Sequence, residues 1–291
     1  MILKLSKYAG FCFGVDLAVK AALEHKNLYL LGEIAHNEIL MRKLRSKNIK
    51  IVENIHDIDK NVKNANILIR THGVGKNITD EIKSRNFNIV DKTCPNVRII
   101  HSIVRNISSE TKLIIIGEAT HAEVVGIKNQ VENKKNVTII SSLDDLKNQI
   151  QNINFNNNFT VVAQTTFDDL EFEKITDILK EKIVNICIHK TICRDSLNRR
   201  NELLNEISDS DFVIVVGSQK SSNSRALYNI SRKIKDTIFI ENHEGLNFEI
   251  IKNKNKIFIT SGASVMPATI LEIVNYINLN CQITKNQINT N

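Results

Sequence analysis

Short apolar runs alternate with amphipathic segments along most of the chain. Segments such as "LYLLGE", "KLIIIGEATH" and "DFVIVVGSQKSSN" contain several consecutive apolar residues and end in glycine and polar residues. Uninterrupted apolar runs of this length are typical of strands that are buried on both faces of a parallel sheet. The segments between them, such as "EILMRKLRSKN" and "SRALYNISRKIK", have the length and periodicity of helices. The alternation therefore predicts an α/β fold with parallel sheets and right-handed crossovers.

The pattern repeats along the sequence. Gly117 and Gly217 follow similar runs and lie roughly 100 residues apart. Cys94 and Cys193 have a similar separation and end the similar segments "DKTC" and "HKTIC". We therefore expect three similar α/β units. They span residues 14–96, 97–193 and 194–280, with an N-terminal segment (1–13) and a polar, partly frayed tail (281–291) as additional pieces.

Composition limits the class of protein. The 291 residues have an ordinary apolar content with few glycines and prolines, which indicates a globular chain and not a disordered or fibrous one. No apolar run approaches the ~20 residues of a membrane span. The first residues also lack the cleavage site of a signal peptide. We therefore expect a soluble cytoplasmic protein, with a plastid-type organelle as the alternative compartment if the chain is a processed form.

The net charge of +7 has three interpretations. Lysines are interleaved with acidic residues and form no long basic block, so a solvated lysine-rich surface is the simplest. A basic pocket for an anionic small molecule is the sharper alternative. Nucleic acid comes third, because the sequence contains no RNP, zinc-finger or KH motif, and we expect no nucleic-acid partner.

Cysteine positions introduce candidate chemistry. The odd number of cysteines and their irregular spacing argue against disulfides and leave core thiols, a nucleophile or metal ligands. Cys187 lies inside an apolar run and Cys281 lies in the tail, so both fit the interpretation as core thiols. Cys12, Cys94 and Cys193 each follow a glycine-bounded turn or a strand end. Three such thiolates could hold zinc or an iron–sulfur cluster with one metal position open.

Polar residues gather where predicted strands end, which is where parallel α/β sheets bind ligands. His36, His72 and His121 all follow such ends. One histidine of this kind is usually a surface or hydrogen-bonded core residue, whereas three at equivalent positions favour an anion pocket or a metal site.

Two further segments could bind phosphate. Ser221, Ser222 and Asn223 follow a strand and precede a helix, where hydroxyl, amide and helix N–H groups can hold an anion. An ordinary helix N-cap needs only one of these residues. Ser264 in "TSGAS" repeats the arrangement, and two such sites together indicate a diphosphate.

Glu123, two residues after His121, is the best candidate for a proton donor. A carboxyl that faces a desolvated pocket has a raised pKa and can deliver protons. The alternative is a glutamate of a first helical turn, which the helix dipole favours.

Together these motifs resemble a known family. The segments "AGFCFGV", "GEIAHNE", "THGV", "DKTCPNV", "THAEVVG", "QTT", "KTIC", "SSNS" and "SGAS" occur in the order found in 4-hydroxy-3-methylbut-2-enyl diphosphate reductases, the LytB/IspH family. The resemblance covers most of the chain and rests on all of the motifs together. Three places depart from the usual pattern: the extra residue in "GASVMP" after Ser264, Ala163 in "AQTT", and the residues after Cys193 in "TICRDSLNRR". None of these departures touches a proposed ligand.

The resemblance implies a fold and a set of site residues. The family has three α/β units around a central 4Fe–4S cluster, and its three cysteine ligands match Cys12, Cys94 and Cys193. The fourth iron is open and binds the substrate hydroxyl. The diphosphate positions match His36, His72, Ser221, Ser222, Asn223 and Ser264. The positions around the reacting hydroxyl match His121, Glu123 and Thr165, with Glu123 as the proton relay.

The resemblance also implies a reaction. The hydroxyl of (E)-4-hydroxy-3-methylbut-2-enyl diphosphate, an allylic diphosphate, is removed as water with two electrons and two protons. The products are isopentenyl and dimethylallyl diphosphate, in the last step of the non-mevalonate (MEP) pathway, with a ferredoxin or flavodoxin as electron donor. The alternatives are a non-catalytic metal-holding protein and an anion-binding protein of the same fold.

Overall fold

Three four-stranded sheets form the framework of the part of the chain that the structure describes. The structure is a computed structural model that describes residues 1–288, with side chains as far as Cys281. In chain order the strands are β1 (Ile2–Leu5), β2 (Leu28–Leu31), β3 (Lys50–Val52), β4 (Asn66–Ile69), β5 (Asn88–Asp91), β6 (Lys112–Ile116), β7 (Val137–Ile140), β8 (Phe159–Ala163), β9 (Ile186–Ile188), β10 (Phe212–Val216), β11 (Thr237–Ile240) and β12 (Lys256–Ser261). The α-helices are α1 (Phe13–Glu24), α2 (Glu38–Ser46), α3 (Lys76–Ser84), α4 (Pro95–Arg105), α5 (Ala122–Lys128), α6 (Leu143–Gln149), α7 (Asp169–Lys182), α8 (Arg194–Ile207), α9 (Ser222–Ser231) and α10 (Pro267–Ile288).

The three sheets share one topology. Their strand orders are β3-β2-β4-β5, β7-β6-β8-β9 and β11-β10-β12-β1, and every neighbouring pair is parallel. In each sheet a central strand (β2, β6 or β10) pairs on one side with the next strand in the chain (β3, β7 or β11), which we call the second strand. On its other side it pairs with the third strand (β4, β8 or β12). The fourth strand (β5, β9 or β1) pairs with the third and forms the edge. The predicted fold class, three similar parallel-sheet α/β units, is confirmed.

The fourth strand of the last sheet comes from the start of the chain. β1 pairs in parallel with β12, so that Ile2 is opposite Lys256 and Leu5 is opposite Ile259. The N-terminal segment is therefore the edge strand of that sheet.

By its internal contacts the chain divides into two compact units. The terminal unit consists of Met1–Val15, Ala35–Leu40 and the chain from Arg194 onward, and the middle unit consists of Asp16–Ile34 and Met41–Cys193. The middle unit contains the first two sheets, and the terminal unit contains the third.

Inner and edge strands differ in burial. Every residue of β8 and β10 is buried, as the continuous apolar runs predict. The edge strands β5 and β9 keep partly exposed residues, because each has a sheet neighbour on one side only. Cys187 of β9 is exposed, with its Sγ 3.4 Å from His189 Nε2. The prediction that Cys187 is a core thiol is therefore wrong, since its apolar run forms an edge strand.

The last helix extends into the predicted tail. α10 continues to Ile288, so residues 281–288 are helical, whereas 289–291 lie outside the described residues. Cys281 packs against the apolar cluster of the terminal unit, with its Sγ 3.5 Å from Met1 Sδ. No helix among the described residues is long and apolar enough to cross a membrane.

Candidate active site

Two predicted cysteine ligands occupy equivalent positions in the middle unit. Cys94 follows β5 and is the N-cap residue of α4, and its backbone N–H donates to Thr71 O at 2.9 Å. Cys193 follows β9 and directly precedes α8, and its N–H donates to Thr165 O at 2.9 Å. In both sheets the accepting carbonyl lies two residues beyond the third strand. The fold therefore places both thiols between a fourth strand and the next helix.

Cys12 has the same arrangement in the terminal unit. It follows β1, directly precedes α1, and donates its backbone N–H to Ala263 O at 3.1 Å. Ala263 again lies two residues beyond the third strand, which is β12 in this sheet. The turn before Cys12 contains Gly10 with φ +102°, a left-handed conformation that glycine adopts without strain.

The three cysteines share one kind of surroundings. Each cysteine is half-buried and lies immediately before a helix, where the helix dipole and the first N–H groups stabilise negative charge. Among residues 1–288, no group of three or more His, Cys, Asp or Glu side chains stands in an arrangement that could hold a metal ion. The thiols nevertheless have the chemistry of iron–sulfur ligands, because such clusters bind thiolates.

The middle unit contains a buried carboxyl that is linked to Cys193 through Thr165. Glu123, in the first turn of α5, is 2% exposed and accepts two hydrogen bonds from Thr165. The Thr165 backbone N–H donates to Oε1 at 2.6 Å, and the hydroxyl donates to Oε2 at 2.7 Å. Burial raises the pKa of Glu123 to about 7, although the two hydrogen bonds from Thr165 favour the ionised form. Near neutral pH this carboxyl can therefore both hold and release a proton.

Two histidines extend the contacts around Glu123. His121 is the N-cap residue of α5, and its Nδ1 accepts the Glu123 backbone N–H at 3.2 Å. In neutral His121 the proton therefore lies on Nε2. The His72 ring meets the His121 ring edge to face, with ring centroids 5.1 Å apart. A series of contacts thus leads from His72 through His121, Glu123 and Thr165 to the backbone of Cys193.

The serine-rich segment forms a helix N-terminus in the terminal unit. Ser221 is the N-cap residue of α9 and accepts the Ser224 N–H. Asn223 is buried, and its Nδ2 donates to Ser196 Oγ at 3.0 Å. Among the residues whose side chains are described, none is a hydrogen-bond partner of the buried Asn223 Oδ1. Ser222 Oγ accepts from Arg225 at 3.3 Å.

Ser264 lies beside this helix N-terminus. Its Oγ is 3.5 Å from Ser221 Oγ, and its carbonyl accepts from Asn37 Nδ2 at 3.2 Å. Asn37 Oδ1 accepts the Leu40 N–H at 2.9 Å at the start of α2, and His36, the preceding residue, is half-buried. The terminal unit thus contains Cys12 and all of the predicted diphosphate residues except His72.

Two buried residues of the terminal unit, Arg199 and Ser224, are not among the site residues that the sequence predicts. Arg199 is almost fully buried in the terminal unit and pairs with Asp195. Asp195 and Arg199 lie four positions apart in "RDSLNRR", a spacing at which an acidic and a basic residue pair on a helix. Nothing in the sequence shows the other contacts of Arg199.

Ser224 was also missed. It is fully buried, and a Cβ added at Gly217 or Gly262 would collide with its Oγ. The glycines after β10 and β12 therefore let the first turn of α9 approach the ends of both strands, which is why "VVGS" and "TSGAS" contain glycine.

These features define a class of protein. It is an α/β protein of three equivalent parallel sheets, each with a cysteine between its fourth strand and the next helix. A buried glutamate is hydrogen-bonded to Thr165, whose carbonyl accepts the Cys193 N–H. The chain matches the family model described as "LytB protein" over residues 3–278, and it belongs to this family.

Individual relatives agree with the family assignment. The chain is 34% identical to a Clostridioides difficile (strain 630) protein over 285 residues, with 95% of this chain and 99% of the relative covered. It is 32% identical to a Nautilia profundicola protein, again with 95% and 99% covered. Both relatives are named 4-hydroxy-3-methylbut-2-enyl diphosphate reductase.

Solved structures of similar proteins have the same fold. The E-1-hydroxy-2-methyl-but-2-enyl-4-diphosphate reductase from Plasmodium falciparum superposes with a TM-score of 0.85 at 28% identity, covering 96% of this chain and 87% of that one. A structure described as (E)-4-hydroxy-3-methyl-but-2-enyl diphosphate reductase, the terminal enzyme of the non-mevalonate pathway, gives a TM-score of 0.69 at 25% identity. It covers 96% of this chain and 99% of the other.

Proposed function

We propose that this protein is a 4-hydroxy-3-methylbut-2-enyl diphosphate reductase. It removes the allylic hydroxyl of its substrate as water, with two electrons and two protons, and forms isopentenyl and dimethylallyl diphosphate in the last step of the non-mevalonate pathway. Family membership and the names of the relatives support the enzyme class over a non-catalytic metal-holding or anion-binding protein. The observation that carries the proposal is the buried Glu123 carboxyl, with a pKa of about 7 and two hydrogen bonds from Thr165.

Glu123 is the proton donor in this proposal. Because its pKa is raised to about 7, the Glu123 carboxyl can protonate the departing hydroxyl oxygen near neutral pH and be reprotonated afterwards. The Thr165 hydroxyl can donate to the carboxylate and accept from the protonated carboxyl, so it orients both forms. His121 caps the helix that carries Glu123, and we assign it with Thr165 to the surroundings of the reacting hydroxyl.

The diphosphate is assigned to hydroxyl, amide and imidazole groups. The N-terminus of α9 supplies Ser221 and Ser222, with helix N–H groups that favour an anion. The unpartnered Asn223 Oδ1 is an acceptor, so Asn223 can contact the diphosphate only through its amide protons or through a protonated phosphate oxygen. The remaining members of the proposed set are Ser264, His36 and His72.

Cys12, Cys94 and Cys193 are the residues that would hold a 4Fe–4S cluster. When bound, such a cluster would supply electrons one at a time. A one-electron carrier, a ferredoxin or a flavodoxin, is the proposed donor. The position of each cysteine before a helix supports thiolate ligation.

Anaerobic purification and a turnover assay test the proposal. We expect about four irons per chain and conversion of the allylic diphosphate with a chemical reductant. Glu123→Gln should keep iron and substrate affinity but lose turnover by about 100-fold or more. Glu181→Gln, the same change at an exposed position of α7, is the matched control and should stay near the parent rate.

Each contrary outcome has a distinct meaning. A colourless protein that binds one zinc would reject the reductase. Binding of iron and diphosphate without turnover would favour the non-catalytic alternative. Near-normal turnover of Glu123→Gln would remove Glu123 from the proposed role and leave the enzyme class intact.

A further inference from the structure

Arg199 is an almost fully buried cation in the terminal unit. Its side chain is 1% exposed, and it lies on α8, the helix that begins directly after Cys193. Its Nε donates to Asp195 Oδ2 at 2.6 Å, one helical turn earlier. Its Nη1 donates to Ser261 O at 3.0 Å, and its Nη2 donates to Gly10 O at 2.9 Å. One guanidinium therefore binds a carboxylate and two backbone carbonyls from distant parts of the sequence.

The two carbonyls belong to the segments that carry Cys12 and Ser264. Gly10 is two residues before Cys12, and Ser261 is the last residue of β12, three residues before Ser264. Two further hydrogen bonds join the same segments. The Gly10 N–H donates to Ser261 Oγ at 2.8 Å, and the Cys12 N–H donates to Ala263 O at 3.1 Å. Arg199 thus fixes the backbone on both sides of this junction.

The same part of α8 also holds a third segment. Ser196 Oγ accepts from Asn223 Nδ2 at 3.0 Å, one residue after Asp195. The first two turns of α8 therefore contact the segment of Cys12, the segment of Ser264 and the segment of Asn223.

We propose that Arg199, with Asp195 as its counter-ion, is a positioning residue that holds the Cys12 turn against the Ser264 turn. The inference rests on the proposed function for the roles of Cys12 and Ser264. The guanidinium reaches these acceptors from three separate nitrogens in one rigid plane, whereas a lysine ammonium carries all of its donors on one nitrogen at the end of a flexible stem. Asp195 neutralises the charge, which would otherwise be costly at this depth.

The test uses the reactivity of individual cysteines in the cluster-free protein. Arg199→Lys should increase the alkylation rate of Cys12 by about tenfold or more, as expected when a charge-assisted hydrogen bond is lost. Cys94, in the middle unit, should keep its rate. Asp195→Asn should give a smaller increase at Cys12. Arg232→Lys, the same change at an exposed arginine of the terminal unit, is the control and should change neither rate. Peptide mass spectrometry resolves the two cysteines.

A second measurement uses the reconstituted enzyme. The Arg199→Lys substitution should displace Ser264, which is a proposed diphosphate residue. KM for the diphosphate substrate should therefore rise, and by a larger factor than the factor by which kcat falls. An unchanged Cys12 rate in both Arg199→Lys and Asp195→Asn would overturn the inference. So would equal acceleration at Cys12 and Cys94, which indicates general loosening of the fold. If Arg199→Lys does not fold, Asp195→Asn alone decides the question. The alkylation result does not depend on turnover, so it stands even if the parent protein proves inactive.

Discussion

Replacing Thr165 with valine should raise the pKa of Glu123 above its value of about 7. The substitution keeps the β-branched shape and the backbone N–H, which donates to Oε1 at 2.6 Å. It removes only the hydroxyl that donates to Oε2 at 2.7 Å. Because this hydrogen bond favours the ionised carboxylate, its loss makes ionisation harder.

The size of the change follows from the strength of that hydrogen bond. A hydrogen bond to a charged group contributes about 1.5–3 kcal/mol, and about 1.4 kcal/mol corresponds to one pH unit. The backbone hydrogen bond to Oε1 is retained, so the carboxylate loses only the contribution of the Thr165 hydroxyl. We therefore expect the pKa of Glu123 to reach about 8 to 9 in Thr165→Val.

Two assays measure this pKa. Carbon-13 NMR of the glutamate side chains gives the ionisation midpoint in the cluster-free protein. In the active enzyme, a proton donor must be protonated, so the rate should fall as pH rises through its pKa. The midpoint of that fall should move from near 7 in the parent to higher pH in Thr165→Val.

Thr160→Val makes the same change at a buried threonine of β8 that is not a hydrogen-bond partner of Glu123, so both midpoints should stay in place. A Thr165→Val midpoint that is unchanged or lower would refute the assignment of the shift to burial opposed by the Thr165 hydroxyl. A shift in the NMR midpoint without one in the rate profile would show that Glu123 is not the rate-relevant acid.

Two further predictions concern stability and iron binding. Burial lowers the pKa of His101 to about 4, so the unfolded chain binds a proton between about pH 6.5 and 4 that the folded chain does not. The free energy of unfolding should therefore fall by about 3 kcal/mol as pH drops through this range. Denaturant unfolding of the His101→Gln variant at the same pH values should not show this fall. Cys193→Ser should lose bound iron, whereas Cys187→Ser, at the exposed edge strand, should retain it. Equal iron loss in both variants would mean that Cys193 is not a specific ligand.

Most of the fold could be predicted because the inner strands are locally encoded. β8 and β10 are buried on both faces, and their uninterrupted apolar sequences reflect this directly. The edge strands were harder to assess, because an apolar run does not show whether it has one neighbour or two. Cys187 was misjudged for this reason.

The pairing of β1 with β12 could not be predicted from local patterns. Four residues at the start of the chain pair with a strand more than 250 residues later, and no periodicity specifies such a partner. The role of Arg199 was hidden for the same reason, since its acceptors Gly10 and Ser261 become neighbours only through that pairing. Glu123 and Thr165 could each be identified from the sequence. Their two hydrogen bonds could not, because these depend on where the fold places α5 relative to the end of β8.

The β1 pairing also explains the uneven spacing of the three cysteines. In every sheet the cysteine follows the fourth strand and donates its N–H to the carbonyl two residues beyond the third strand. In the first two sheets the fourth strand follows the third in sequence, which gives Cys94 and Cys193. In the last sheet β1 takes that place, so the equivalent cysteine lies at position 12 and not after β12. The geometry of Cys12 thus depends on contacts between both ends of the chain, and the Arg199 guanidinium lies at that junction.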